Sequence, residues 1–94
     1  MSSYHLTIEA EQDLRGIYQR GLNEFGVKQA DAYFDGLINR FDLISKQPLL
    51  YPTVDHIRAG YRRSVYGRHA IYYKKGVSDI LIVRVLGSQK LILP

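Results

Sequence analysis

The sequence predicts an α+β domain of two layers, in which a helical hairpin packs on an antiparallel sheet in the order β-α-α-β-β-β. Three observations lead to this expectation. Apolar residues recur every three or four positions in the first half of the chain, and the second half is rich in β-branched and aromatic residues. A segment with two prolines separates the halves. The 94 residues are too few for two domains, so we expect one domain over residues 1–94.

The first half of the chain predicts a short strand followed by two helices. Tyr4-His5-Leu6 is typical of a strand, and Thr7 is placed to cap a helix that begins near Ile8. One apolar stripe runs along this helix, and Gly26 ends it. A second stripe with the same spacing continues to Gln47-Pro48, because proline stops helical propagation. Helices joined so tightly form an antiparallel hairpin.

The second half predicts a three-stranded antiparallel meander after a connecting loop over residues 46–60. Segments 61–66, 69–73 and 80–86 carry the β-branched and aromatic residues and are separated by turn residues. The last segment is apolar in both phases except at Arg84, which is typical of a central strand covered on both faces. We therefore expect something besides the helical hairpin to cover its second face.

Charge is distributed unevenly along the chain, whose formal net charge is +4. Residues 1–47 carry five basic and seven acidic side chains, whereas residues 48–94 carry eight basic and two acidic ones. The second half is therefore a candidate surface for an anion, either an acidic protein segment or a nucleic acid. The alternative is a basic face that is simply solvated.

Composition also indicates where the protein works and which sites it lacks. The absence of cysteine excludes disulfides and thiolate metal sites, so the cytoplasm is the expected location. The first residues show no basic stretch followed by an apolar segment, so we expect no export by a classical signal. Every apolar run is far shorter than the ~20 residues that span a bilayer, so we expect no membrane span. His5, His56 and His69 lie in separate elements without the spacing of metal ligands, so we expect no metal and no cofactor.

Arginines and tyrosines of the second half form the candidate binding surface. An unpaired charge in an apolar strand is costly, so Arg84 either pairs with a carboxylate of the chain or receives one from outside. Tyrosine beside arginine is typical of protein recognition surfaces and of stacking on RNA bases. Large apolar residues at the C terminus cost solubility unless they pack on the domain or on a partner. The candidate partner-binding residues are Tyr61, Arg62, Arg63, Tyr73, Arg84, Lys90, Leu91 and Ile92.

Short motifs are spread over nearly the whole chain. They are Leu6-Thr7 with Ala10 and Asp13-Leu14-Arg15-x-Ile17, Tyr33-x-x-x-Leu37-x-x-x-Phe41, Pro48, Gly60-Tyr61-Arg62, Gly67-x-His69-x-Ile71-x-Tyr73 and Ile82-x-Arg84-Val85-Leu86. Together they resemble the ParE toxins of the RelE/ParE superfamily. The resemblance implies growth arrest by inhibition of DNA gyrase, and a ParD-like antitoxin whose flexible C-terminal region folds over the toxin. Gly87 departs from the pattern, since many relatives have His after the Val-Leu pair.

The related RelE branch cuts messenger RNA in the ribosome, which is the alternative function. Such cleavage needs a proton acceptor, a proton donor and cations at the phosphate. Arg62, Arg63 and Arg84 would supply the cations, but beyond Arg84 the single titratable side chain is that of Lys90. The tyrosine or histidine that the resemblance to RelE-type nucleases implies near this end is therefore absent. We therefore expect no catalytic residues and no sequence-specific binding of nucleic acid. A basic binding module without toxicity is the third hypothesis.

Overall fold

Helices and strands follow the predicted order. A computed structural model describes residues 3–87 and contains β1 (Tyr4–Leu6), α1 (Ile8–Phe25), α2 (Val27–Lys46), β2 (Arg62–Tyr66), β3 (His69–Lys75) and β4 (Ile80–Gly87). The predicted α+β architecture, a helical hairpin on a sheet, is confirmed. Neither helix of this described part combines the length and the apolar character that crossing a membrane requires.

The helix ends lie where local sequence signals place them. The Thr7 hydroxyl accepts the N–H of Ala10 at 3.0 Å, which caps the start of α1. Gly26 joins the two helices with a φ of 86°, a conformation that side chains rarely tolerate. The N–H of Gln47 donates to the carbonyl of Leu43, and α2 ends there, one residue before a proline.

The sheet has the order β1-β4-β3-β2 and is mixed, which differs from the predicted antiparallel sheet in one respect. β2 with β3 and β3 with β4 form the expected antiparallel pairs. β1 runs parallel to β4, with Tyr4 beside Ile80 and Leu6 beside Ile82. Parallel neighbours need a crossover connection, and the helical hairpin supplies it by carrying the chain across the sheet after β1.

The helical hairpin covers one face of the sheet. Apolar side chains from α1 and α2 pack there on the inward residues of β3 and β4, and the buried members of this cluster are Ala10, Leu14, Ile17, Leu37, Phe41, Ile44, Ile71, Tyr73, Ile80, Ile82 and Val85. Burial of these side chains supplies the main driving force for folding.

The loop between α2 and β2 covers part of the second face. Val54 and Tyr61 of this loop pack with three buried sheet residues, Ala70, Tyr72 and Leu86. β4 therefore lies centrally and is covered from both sides, as predicted. The covering element on the second face is a segment of the chain itself.

Groups of the chain occupy the open edge of β4 beyond the end of β1. The N–H of Thr7 donates to the carbonyl of Ile82 at 3.0 Å, and its hydroxyl donates to the carbonyl of Val83 at 2.7 Å. One residue of the loop before α1 thereby continues the pairing of the three-residue strand β1.

The outer edge of β2 is occupied in the same way. The N–H of Arg63 donates to the carbonyl of Pro52 at 3.1 Å. Arg40 of α2 donates from Nη1 to the carbonyl of Val65 at 2.9 Å and to the hydroxyl of Ser64 at 2.8 Å. Loop and helix together satisfy backbone groups that an edge strand otherwise exposes.

Candidate partner-binding surface

Arg84 forms an ion pair with Asp13 of α1. Its Nε and Nη2 donate to the two carboxylate oxygens at 2.8 and 3.0 Å. Asp13 also accepts the N–H of Val85 at 2.9 Å. Both side chains are largely shielded, with 21% and 14% exposed, and hydrogen bonding to Asp13 raises the pKa of Arg84. Of the two alternatives that the sequence left open for Arg84, the structure contains the internal carboxylate.

Arg62 and Tyr73 are cross-strand neighbours on β2 and β3 and both bind the connecting loop. Arg62 donates from Nη1 to the carbonyl of Tyr51 at 2.7 Å. The hydroxyl of Tyr73 donates to the carbonyl of Pro48 at 2.6 Å. Burial raises the pKa of Tyr73 to about 12, so this hydroxyl stays protonated at neutral pH. Both side chains hold the loop against the sheet, and their contact with a partner stays a prediction.

Tyr61 and Arg63 differ in their surroundings. Tyr61 is buried among loop and sheet residues, and the Lys74 ammonium lies 5.5 Å from its ring centroid. Arg63 is half-buried opposite Tyr72, and within residues 3–87 no ion pair or hydrogen bond engages its guanidinium. Arg63 is therefore available to an anion from outside.

A groove beside the connecting loop brings basic and apolar side chains together. Arg62, Lys74 and Lys75 line this cavity of about 610 Å³, together with Leu49 and Val77, whose side chains are exposed. We call it the loop-side groove. Asp79, which is hydrogen-bonded to His5, is the single carboxylate among the lining residues, so basic side chains prevail. This composition suits a partner segment that carries acidic and apolar residues.

The remaining predicted contacts, Lys90, Leu91 and Ile92, lie outside the described residues. At Gly87, where the resemblance leads one to expect His, an added Cβ would have no described heavy atom within 4 Å. The absence of His at this position therefore leaves open space in the described part of the chain.

A second polar cluster, which the sequence analysis did not assemble, lies between the helices and the β2–β3 turn. The Tyr33 hydroxyl lies 2.6 Å from His69 Nδ1 and 3.1 Å from the carbonyl of Tyr66, and it accepts the N–H of Arg68 at 3.2 Å. The turn residue Gly67 has a φ of 56° and leaves room for the Tyr33 ring. The sequence indicates Tyr33 only as part of a helical spacing, because its partners lie 33 to 36 residues away.

Burial favours the uncharged forms of His69 and Tyr33 at neutral pH. Burial and the nearby Arg20 lower the pKa of His69, against a smaller opposing effect of Asp13. Burial is also the main cause that raises the pKa of Tyr33. The pair is therefore a hydrogen-bonded, neutral unit with cations beside it.

We expect acid to destabilise the fold through His69. Its folded pKa lies below the ordinary 6.5, so the unfolded chain takes up a proton first and stability falls as the pH decreases through that value. Arg20 and Asp13 act on the ring through their charges, Tyr33 is hydrogen-bonded to it, and Arg68 lines the same cavity. Urea unfolding between about pH 7.5 and about pH 5.5 measures the loss. His69→Gln should reduce it, whereas His56→Gln, at an exposed position, should leave it unchanged. An identical pH dependence in both variants would contradict the assignment.

Two solved toxin-antitoxin proteins share this fold. The chromosomal ParDE system of P. aeruginosa superposes with a TM-score of 0.79 at 17% identity, over 93% of this chain and 96% of that chain. The RelBE2 complex of Mycobacterium tuberculosis superposes with a TM-score of 0.68 at 17% identity, over 92% of this chain and 96% of that chain. At such identities the likeness shows the fold alone, and that fold occurs in toxin-antitoxin proteins.

Sequence similarity then defines the family. The model of the ParE toxin of type II toxin-antitoxin systems, parDE, matches residues 4–92. Toxin ParE1 of Caulobacter vibrioides is 35% identical over 86 residues, which is 92% of this chain and 88% of the relative. Toxin ParE1 of Mycobacterium tuberculosis is 34% identical over 86 residues, with 90% and 88% coverage. The chain belongs to the ParE toxin family, which confirms the resemblance found in its motifs.

Proposed function

We propose that this ParE toxin inhibits DNA gyrase by binding it, and that a ParD-like antitoxin neutralises the toxin. Membership of the ParE family supports the toxin role and the antitoxin partner. Binding needs only a complementary surface, and the loop-side groove offers one. The antitoxin segment that fits this surface is acidic and apolar.

The hydrogen bonding and burial of the tyrosines near the predicted arginines, and the ion pair of Arg84, support binding over RNA cleavage. Cleavage needs a group that exchanges protons beside the cations. The Tyr73 hydroxyl donates to the Pro48 carbonyl and its pKa is about 12, so it stays protonated at neutral pH and does not act as a proton acceptor there. The Tyr72 hydroxyl is buried beneath the loop. Arg84 is neutralised by Asp13 and thus is not free to stabilise phosphate charge.

Gyrase assays test the mode of action directly. The full chain should inhibit supercoiling by purified gyrase, and it should leave messenger RNA intact in a purified translation system. Cleaved messages would favour the RelE-like ribonuclease, whereas unaffected gyrase with intact messages would favour a binding module without toxicity.

The C-terminal residues are a further proposed contact with gyrase. Deleting residues 90–94 should abolish inhibition of supercoiling while the truncated chain still folds and binds antitoxin, because apolar residues at a terminus are typical of a docking segment. Circular dichroism checks the fold. Full inhibition by the truncated chain would exclude this contact.

Antitoxin binding should raise the melting temperature of the toxin as antitoxin is added in excess. Lys74→Glu with Lys75→Glu should weaken the complex at least ~10-fold, because like charges then meet across the interface. Lys28→Glu, an exposed charge reversal at the start of α2, is the matched control. A melting temperature that does not respond to antitoxin would contradict the partnership. If both charge reversals weaken the complex equally, the loop-side groove is not part of the antitoxin-binding surface.

A further inference from the structure

The cleft around the Tyr33–His69 pair contains a cavity of about 420 Å³, and we call it the aromatic cleft. Ligand cavities in proteins typically measure about 300–1,000 Å³. The rings of Phe25 and Phe34 line it beside the polar pair. Phe25 is 57% exposed, so aromatic surface in the cleft is open to a ligand.

Two arginines line the same cleft without a partner of their own. Arg20 comes from α1 and Arg68 from the β2–β3 turn. Within residues 3–87 neither guanidinium forms an ion pair or a side-chain hydrogen bond. Glu24 is the single carboxylate among the lining residues, so the cleft has an excess of positive charge.

We propose that the aromatic cleft binds a nucleoside phosphate. Guanidinium groups form bidentate, charge-assisted hydrogen bonds with phosphate, and both Arg20 and Arg68 line the cleft. Aromatic faces such as that of Phe25 stack on nucleobases, and a carboxylate such as that of Glu24 accepts hydrogen bonds from ribose hydroxyls. His69 adds a polar ring that contacts the ligand without a charge of its own.

The ligand has two sources with the same chemistry, a free nucleotide and the phosphorylated end of a nucleic-acid strand. The aromatic cleft shares no lining residue with the loop-side groove. The proposed nucleotide site is therefore separate from the groove proposed for the partner segment.

Proton NMR of the histidine rings tests the proposal on the full chain. Adenosine 5′-monophosphate should shift the ring resonances of His69 and leave those of the exposed His5 and His56 in place. Adenosine alone and inorganic phosphate alone should bind more weakly, because each offers half of the recognised group. A single-stranded tetranucleotide with a 5′-phosphate distinguishes the two sources. If the tetranucleotide binds and the mononucleotide does not, the ligand of the cleft is the phosphorylated end of a nucleic-acid strand.

Arginine variants locate the phosphate. Arg20→Gln with Arg68→Gln should lower the affinity at least ~10-fold, because two charge-assisted contacts are lost. Arg15→Gln, an exposed arginine earlier on α1, should leave it unchanged. An unshifted His69 resonance with both the mononucleotide and the tetranucleotide would overturn the proposal, and so would inorganic phosphate that binds as tightly as the nucleotide. If the double variant fails to fold, the ligand comparisons on the parent chain still test whether the cleft binds a nucleoside phosphate.

Discussion

Substitution of Asp13 by alanine should lower the free energy of unfolding by about 3 kcal/mol. The carboxylate accepts two hydrogen bonds from Arg84 and one from the N–H of Val85. Without it, a largely shielded guanidinium and a strand N–H lose their acceptor together, and unpaired shielded groups are costly. Domains are typically stable by only about 5–15 kcal/mol, so the loss should be a large share of the total. Urea denaturation of the full chain measures it.

A double-mutant cycle and one control show whether the ion pair is responsible. Asp13→Ala with Arg84→Ala should cost less than the sum of the two single variants, because each single variant leaves an unpaired group. Asp42→Ala removes the exposed Lys46–Asp42 pair of α2, whose side chains are 62% and 54% exposed, and exposed pairs contribute little. Equal losses for Asp13→Ala and Asp42→Ala would show that the shielded pair has no special role.

Replacement of Gly67 by alanine should cost about 2 kcal/mol. The turn holds Gly67 at a φ of 56°, and an added Cβ would lie 2.7 Å from both the hydroxyl oxygen and a ring carbon of Tyr33. That ring is fixed by its hydrogen bond to His69, so it moves only if this bond is lost. Thermal unfolding monitored by circular dichroism gives the size of the effect.

Gly60→Ala separates steric crowding from backbone conformation. Gly60 also has a positive φ, 83°, but an added Cβ would have no described heavy atom within 4 Å. It should therefore show the backbone cost alone, about 1 kcal/mol. If Gly67→Ala lowers the stability no more than Gly60→Ala does, the Tyr33 ring moves aside without a measurable cost.

Local chemistry made the helices predictable. Thr7, Gly26 and Pro48 each act on neighbouring residues through a cap, a positive φ or a missing N–H, so the ends of α1 and α2 follow from the sequence. The antiparallel meander of β2, β3 and β4 was predicted correctly. The parallel pairing of β1 with β4 was not predicted, because it joins residues more than 70 positions apart.

The candidate sites depend on such distant contacts to a greater degree. A chain-internal carboxylate for Arg84 was one of two expected alternatives, but only the packing of α1 on β4 selects Asp13, which is 71 residues away. The pairing of Tyr33 with His69 brings together α2 and the start of β3. Neither residue carries a local signal for the other, since tyrosine in a helix and histidine in a strand are ordinary packing residues.

The sheet edges have a consequence for how the toxin assembles with other chains. Thr7 on the β4 side and Pro52 with Arg40 on the β2 side already bond to backbone groups that a foreign strand would otherwise use. Edge-to-edge stacking of copies, the first step of fibre growth, is thereby discouraged at the outer edge of β2 and along β4 beyond the end of β1. A partner strand finds few free backbone groups at these two places, so its contacts there are made by side chains. Recognition at these places should consequently depend on side-chain identity, through which related partners are told apart.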